Sequence, residues 1–401
     1  MSSDLFMEFL HNQNRRLDLD AALKREQTLD SPAGSGITLG GRLLVNLASS
    51  DYLGLANHPV VKDAAAAALQ KYGVGLASAR LITGTVPIHL ALEKTIAQWL
   101  GTDDAVVFAS GYQANTGLFE ALLGERDFIF CDELIRPSLA DGIRLSRARV
   151  YTYRNRDLAH LQDRLRRSRT ARFRIIATDG VFPLDGGPAP LEEIYRLAEQ
   201  YDALVAVDDS HGIGVWGASG RGTHVELAVS AKPHVITGTF GHALGGGSGG
   251  FIACPSVMAT WLRQRSRPYL TSTALPPASA AAALKAIELA RQADKSREAL
   301  TEKVRAFRLA LERHGVHLLP GKHPAIAIHV GHATVAQKMT DLLYQKGAYA
   351  LGFCHPVVPE GSARIRAQVT IGHTDVMLEN TAAAFAEAAH AAGAPLFATP
   401  S

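Results

Sequence analysis

The sequence predicts an α/β fold, with a large domain on a mostly parallel sheet and a smaller C-terminal α+β domain. Three observations predict it. Short apolar runs rich in β-branched residues recur between amphipathic helical stretches from about residue 105 to 254. Those runs are apolar at nearly every position, as strands buried on both faces must be. After about residue 280 the alternation gives way to longer helical patterns with few strand-like runs between them.

In chain order, the first segment is an N-terminal arm over residues 1–55, opening on the amphipathic "MSSDLFMEFLHNQNRRLDLD". The large domain, 56–285, holds the strand candidates "AVVFAS" (105–110), "DFIFCD" (127–132), "RVYTY" (149–153), "RIIATD" (174–179), "ALVAVDD" (203–209), "HVITGTF" (234–240) and "GFIAC" (250–254). Helical stretches such as "LEEIYRLAEQY" (191–201) lie between them. The small domain, 286–401, receives the end of a long helical stretch over 278–314. It continues with "AIAIHV" (325–330), a helix at 334–347, "ARIRAQV" (363–369) and a helix from 374. A chain of 401 residues exceeds what one small core organises, so two lobes are expected.

Composition removes several function classes. Apolar residues at 47% and charged residues at 20% are those of an ordinary globular protein. The net charge of +3 is slight, and the densest basic run, "RLRRSRTAR" (164–172), reads as a solvated helix end rather than a nucleic-acid surface. Cys131, Cys254 and Cys354 share no metal-ligand spacing. Acidic residues come early at the N-terminus, unlike a signal peptide, and no apolar run reaches membrane-spanning length. A cytoplasmic protein without metal, membrane or nucleic-acid partner is expected.

In an open α/β sheet, ligands sit beyond the carboxyl ends of the strands. Three polar clusters fall there: "SGYQANTG" (110–117), "DDSHGIG" (208–214) and "GTFGH" (238–242). They can converge on one crevice. Gly111 and Tyr112 open the helix after the first strand, where free backbone N–H groups suit an anion.

Taken with "YLGLANHP" (52–59), "ASARLITGT" (77–85), "ATDGVFPLDG" (177–186), "WLRQRSRPYL" (261–270) and "PVVPEGSARIRAQ" (356–368), these segments resemble the α-oxoamine synthase family. Its members are acyltransferases dependent on pyridoxal phosphate (PLP), with the type I, aspartate-aminotransferase-like fold. The resemblance runs over nearly the whole chain and is nearest to the branch that condenses glycine with a short acyl-CoA. It implies that Asp208 pairs with the cofactor's pyridine nitrogen and keeps it protonated, so that the ring can act as an electron sink. It places His211 near the phenolic oxygen, and Gly111, Tyr112 and Thr239 around the phosphate. Ser272 and Thr273 match phosphate-side residues supplied by a partner subunit, which implies a homodimer. Arg366 matches the arginine that grips the amino-acid carboxylate, a task for a planar bidentate donor.

The departures lie at the centre of the chemistry. His242 stands where the family has its Schiff-base lysine, and Arg136, in "DELIRPS" (132–138), stands where a histidine stacks on the ring. Ser50 and Asp51 replace an Asn-Asn pair, Pro183 a serine, and Cys354 and His355 a Phe-Tyr pair. Lys232 is the nearest upstream lysine, but about seven extended residues put it roughly 20 Å from the pocket end of its strand. Imidazole forms no stable Schiff base, yet it serves as a general base near neutral pH. Arg136 can stack on a ring, or bind a carboxylate or phosphate in the vacated space.

Three readings follow. In the first, His242 activates an amine, hydroxyl or carbon nucleophile against the thioester of acyl-CoA or an acyl carrier protein. His211 and backbone N–H groups stabilise the oxyanion. Arg136, Arg366, Ser50, Cys354 and His355 line the site of an amino-acid-like acceptor, and no PLP is held covalently. In the second, the chain is a conventional PLP synthase with noncovalent cofactor, or one whose lysine was deliberately replaced. In the third, it is a noncatalytic partner of a lysine-bearing homologue. A Cys354 nucleophile paired with His242 is a variant of the first.

Overall fold

The computed structural model describes residues 2–19 and 26–395. The chain divides into two compact units, residues 50–183 with 187–298, and residues 1–49, 184–186 and 299–401.

The unit built on residues 50–298 holds a seven-stranded sheet, and all seven strand candidates between 105 and 254 are in it. Across the sheet the strands run Asp104–Phe108, Gly250–Cys254, Val235–Thr239, Leu204–Asp208, Arg174–Asp179, Phe128–Asp132 and Arg149–Tyr153. Every pairing is parallel except the two made by Gly250–Cys254, which is antiparallel to both neighbours. The expected mostly parallel sheet is therefore the one observed.

Its central strands read as unbroken apolar runs because successive side chains enter opposite cores. Ile129, Ile175 and Ala206 pack on one face with Leu118, Phe119, Leu139 and Leu262. Phe130, Ile176 and Val205 pack on the other with Leu161, Leu191, Ile194 and Leu197. The strand register also carries functional groups to one edge. Asp179, Asp208 and Thr237 are aligned across three adjacent strands at their carboxyl ends.

The other unit carries the antiparallel sheet Ala325–Gly331, Ala363–Gln368 and Leu351–Phe353, with helices Ala333–Gln345 and Asp375–Ala392. A second small sheet joins Gly36–Leu39, Arg42–Asn46 and Ala348–Tyr349. The long helical stretch expected over 278–314 is two helices, Pro277–Arg291 and Asp294–Arg313. Ser2–Leu19 is helical, with Leu5, Phe6, Met7 and Phe9 exposed. Among the described residues, no helix is long and apolar enough to cross a membrane, and no cluster of His, Cys, Asp and Glu forms a metal site.

Candidate active site

The three polar clusters meet at the carboxyl edge of the large sheet. Ser110 caps the helix Gly111–Leu122 by accepting from the Gln113 N–H at 3.1 Å. That helix packs so closely on the neighbouring strand that a Cβ at Gly111 would lie 2.8 Å from Thr239 Cβ. Only glycine tolerates this approach. Thr239 Oγ accepts from the Gly241 N–H at 3.0 Å, shaping the turn that carries His242. Tyr112 is exposed and its hydroxyl donates to Asp141. Ser272 Oγ accepts from Gln113 Nε2 of its own chain at 3.2 Å, and Thr273 follows it in sequence.

Asp208 is 2% exposed and fully engaged. Its Oδ1 accepts from Arg136 Nη1 at 2.6 Å and from the Ser210 N–H at 3.0 Å, and its Oδ2 accepts from Asn115 Nδ2 at 2.6 Å. Asn115 is itself oriented by Thr237, whose hydroxyl donates to Asn115 Oδ1 at 2.7 Å. Burial alone would raise the Asp208 pKa, but the Arg136 charge and the Asn115 and Ser210 hydrogen bonds hold it below the usual carboxylate value. Arg136 thus binds a carboxylate, one supplied by its own chain. Its backbone N–H also donates to Asp179 Oδ2 at 2.8 Å, and its Nε lies 3.9 Å from Asp179 Oδ1. Asp179 Oδ1 is buried without a hydrogen-bond partner. Burial first, and then the Asp208 charge, push the Asp179 pKa well above the ordinary carboxylate range.

The two histidines lie side by side, with ring centroids 4.4 Å apart and planes at 39°. His211 Nδ1 is 2.9 Å from the hydroxyl of Tyr52, which is wholly buried. His242 Nδ1 is 3.0 Å from the Ser210 carbonyl. A carbonyl only accepts, so that nitrogen bears the proton and a neutral His242 keeps its lone pair on Nε2. Lys232 is turned elsewhere, its Nζ 2.9 Å from Asp103 Oδ1. Of the remaining candidates, Ser50 precedes Tyr52, whose N–H donates to its carbonyl. Arg366 lies in the other unit, opposite Ala327 and Leu351 in the sheet and 4.8 Å over the Phe353 ring. Cys354 and His355 are also in that unit, in the turn after Leu351–Phe353.

Asp209 explains the glycines of the adjoining loop. Its carboxylate accepts from the Thr223 N–H at 2.7 Å and from the Thr223 hydroxyl at 2.5 Å. A Cβ at Gly180, Gly212 or Gly222 would come within 2.3 Å of an Asp209 oxygen. Burial raises the Asp209 pKa to about 7 in spite of the Thr223 hydrogen bonds. A folded pKa above the unfolded value means the native state binds the extra proton, so this group's contribution is greatest near pH 4 and is lost as pH rises to about 7. Urea midpoints of wild type and Asp209→Asn across that range should therefore diverge. The wild type should decline more steeply with pH, and parallel curves would remove Asp209 as a cause.

PLP, which the resemblance implies, asks three things of this site, and the residues meet one. The turn at Gly111 and Thr239 suits a phosphate. No primary amine stands at position 242, and the carboxylate suited to a protonated ring nitrogen already holds Arg136 at 2.6 Å. At the aldehyde and nitrogen ends the residues do not fit the group.

Sequence reasoning singled out Asp208, His211, His242 and Arg136, and passed over Asn115, Tyr52 and Asp179. Asp179 ends the strand Arg174–Asp179, Asn115 lies in the helix that follows Asp104–Phe108, and Tyr52 lies in the loop before the helix Pro59–Tyr72.

Comparison with known proteins agrees with this architecture. Residues 42–385 match the family model for aminotransferase class I and II. The 2-amino-3-ketobutyrate coenzyme A ligase of Salmonella typhimurium is 43% identical over 383 residues, 95% of this chain and 96% of that protein. The 8-amino-7-oxononanoate synthase 1 of Bacillus velezensis is 37% identical, over 93% and 95% of the two chains. A structure of SPT with PLP internal aldimine superposes with a TM-score of 0.90 at 26% identity, covering 96% of this chain and 97% of that one. The serine palmitoyltransferase of Sphingomonas wittichii gives 0.91 at 28% identity, over 97% and 98% of the two chains. The chain belongs to the aminotransferase class I and II family and is a homologue of the α-oxoamine synthases within it.

Proposed function

We propose that the chain is an acyltransferase that moves an acyl group from an acyl-CoA or acyl-carrier-protein thioester to an amino-acid-like acceptor, with His242 as general base and without covalent PLP. The observation that carries this reading is the 3.0 Å contact between His242 Nδ1 and the Ser210 carbonyl. Ser210 holds the Nδ1 proton, which leaves Nε2 as the basic atom beside His211. The acceptor's nucleophile attacks the thioester carbonyl while its proton passes to Nε2. The C–S bond then breaks, and the same proton leaves with the thiolate. Two imidazolium rings 4.4 Å apart would repel, so the pair favours one base and one neutral donor. When Tyr52 donates to His211 Nδ1, the proton of His211 sits on Nε2, where it can support the oxyanion. Asp208 keeps Arg136 in place and acts through it. Arg366 is assigned the acceptor's carboxylate from the sequence motif alone. The reading includes a cytoplasmic homodimer in which Ser272 and Thr273 serve the neighbouring subunit.

A second reading is favoured by the 43% identity to a 2-amino-3-ketobutyrate coenzyme A ligase and by the phosphate-type turn at Gly111. In it, the chain condenses glycine with an acyl-CoA using noncovalent PLP. Thiol release from acyl-CoA, measured on protein stripped of PLP and offered a panel of amino acids, separates the two. The first reading expects turnover that added PLP leaves unchanged, and no borohydride-fixed PLP on any lysine. Turnover that appears only with PLP would replace it with the second.

A further inference from the structure

Building on the reading that no lysine holds the cofactor, we infer that Arg136 is the residue that excludes PLP from this fold: its guanidinium is a built-in cation occupying the place at Asp208 that a protonated pyridine nitrogen would take. The chain has thus lost the cofactor's ring site as well as its lysine.

The geometry supports this in three ways. First, the contact is short and charged. Arg136 Nη1 lies 2.6 Å from Asp208 Oδ1, which also accepts from the Ser210 N–H, while Asn115 holds Oδ2. A carboxylate so engaged has little capacity left for another charged donor. Second, the guanidinium is anchored from behind. The Arg136 N–H is fixed on Asp179, Pro137 opens the next helix immediately after it, and the side chain is only 16% exposed. Swinging it out would leave the buried Asp208 carboxylate without its cation. Third, the charge has the wrong sign for a guest. A pyridinium brought to Asp208 would meet a fixed positive charge, and an unprotonated pyridine would be a poor electron sink.

A lysine at position 242 alone therefore does not rebuild a PLP site. This distinguishes Arg136 from a side chain that merely fills space left by a stacking histidine.

The test is equilibrium binding of PLP, and of pyridoxine 5′-phosphate, which has no aldehyde and so reports the ring and phosphate contacts alone. Wild type, Arg136→His, Arg136→Gln, His242→Lys and the two double variants are compared. Both Arg136 substitutions should tighten pyridoxine 5′-phosphate binding by about 100-fold, the effect of removing a like charge from a desolvated site. His242→Lys alone should bind PLP weakly. The double variants should bind it tightly and yield a lysine adduct after borohydride reduction. Adding Asp208→Ala to Arg136→Gln should abolish the gain in pyridoxine 5′-phosphate affinity. The inference is overturned if His242→Lys binds PLP as tightly with Arg136 present as without it. It is equally overturned if neither Arg136 variant, each confirmed folded by circular dichroism, tightens pyridoxine 5′-phosphate binding. These affinities stand apart from the catalytic reading, which wild-type turnover that requires added PLP would overturn.

Discussion

His242→Ala should lower acyl transfer by about 10²- to 10⁴-fold, the span over which positioned acid–base groups act, while thioester affinity stays essentially unchanged. The expectation follows from the hydrogen bond between His242 Nδ1 and the Ser210 carbonyl, which holds the ring in one tautomer. Loss of the base should also remove the acidic limb of the kcat/KM pH profile, a signature that a packing defect would not produce. His242→Lys should lose native turnover as well, because an ammonium group at neutral pH is not a free base. Turnover that survives His242→Ala would take His242 out of the mechanism. Attention would then pass to His211, 4.4 Å away, or to Cys354.

The large sheet was legible in the sequence because its central strands are buried on both faces, which writes an unbroken apolar run. Ile175 and Ile176 are adjacent in sequence, enter opposite cores, and are both fully buried. The edge elements were not legible. Arg42–Asn46 is buried at only two of its five positions, and Leu351–Phe353 is three residues long and largely exposed. Neither leaves a periodic signal that separates it from a loop.

The site divides along the same physical line. Asp208, His211 and His242 sit at strand ends within glycine-rich turns, where local sequence marks them. Asn115 meets Asp208 across 93 residues of chain, and Tyr52 meets His211 across 159. Such contacts are set by sheet register and helix docking, which no local pattern encodes. Arg136 shows the limit most clearly. The sequence marked it as a departure and left it free to bind a ring, a carboxylate or a phosphate. Packing assigns it to Asp208, 72 residues away.

Asp208→Ala should cost about 3–5 kcal/mol, the penalty for breaking a buried charged pair by removing one partner. Three donors lose their acceptor at once: Arg136 Nη1, Asn115 Nδ2 and the Ser210 N–H. The loss should depend on pH through Asp179. In the wild type, burial and the Asp208 charge push the Asp179 pKa up. Without Asp208 the second cause disappears, and Arg136, whose Nε is 3.9 Å from Asp179 Oδ1, draws that pKa down. Asp179 then binds fewer protons in the folded variant than in the folded wild type. The stability gap between them should consequently narrow as pH rises and widen as it falls. Adding Arg136→Met to Asp208→Ala removes the stranded cation and should recover a large part of the loss, because an apolar side chain needs no counter-ion. Urea unfolding of the three proteins across pH 5 to 8 measures each of these. A single-variant cost below about 1 kcal/mol, no larger than that of an exposed ion pair, would show that Arg136 and Asp208 do not hold each other.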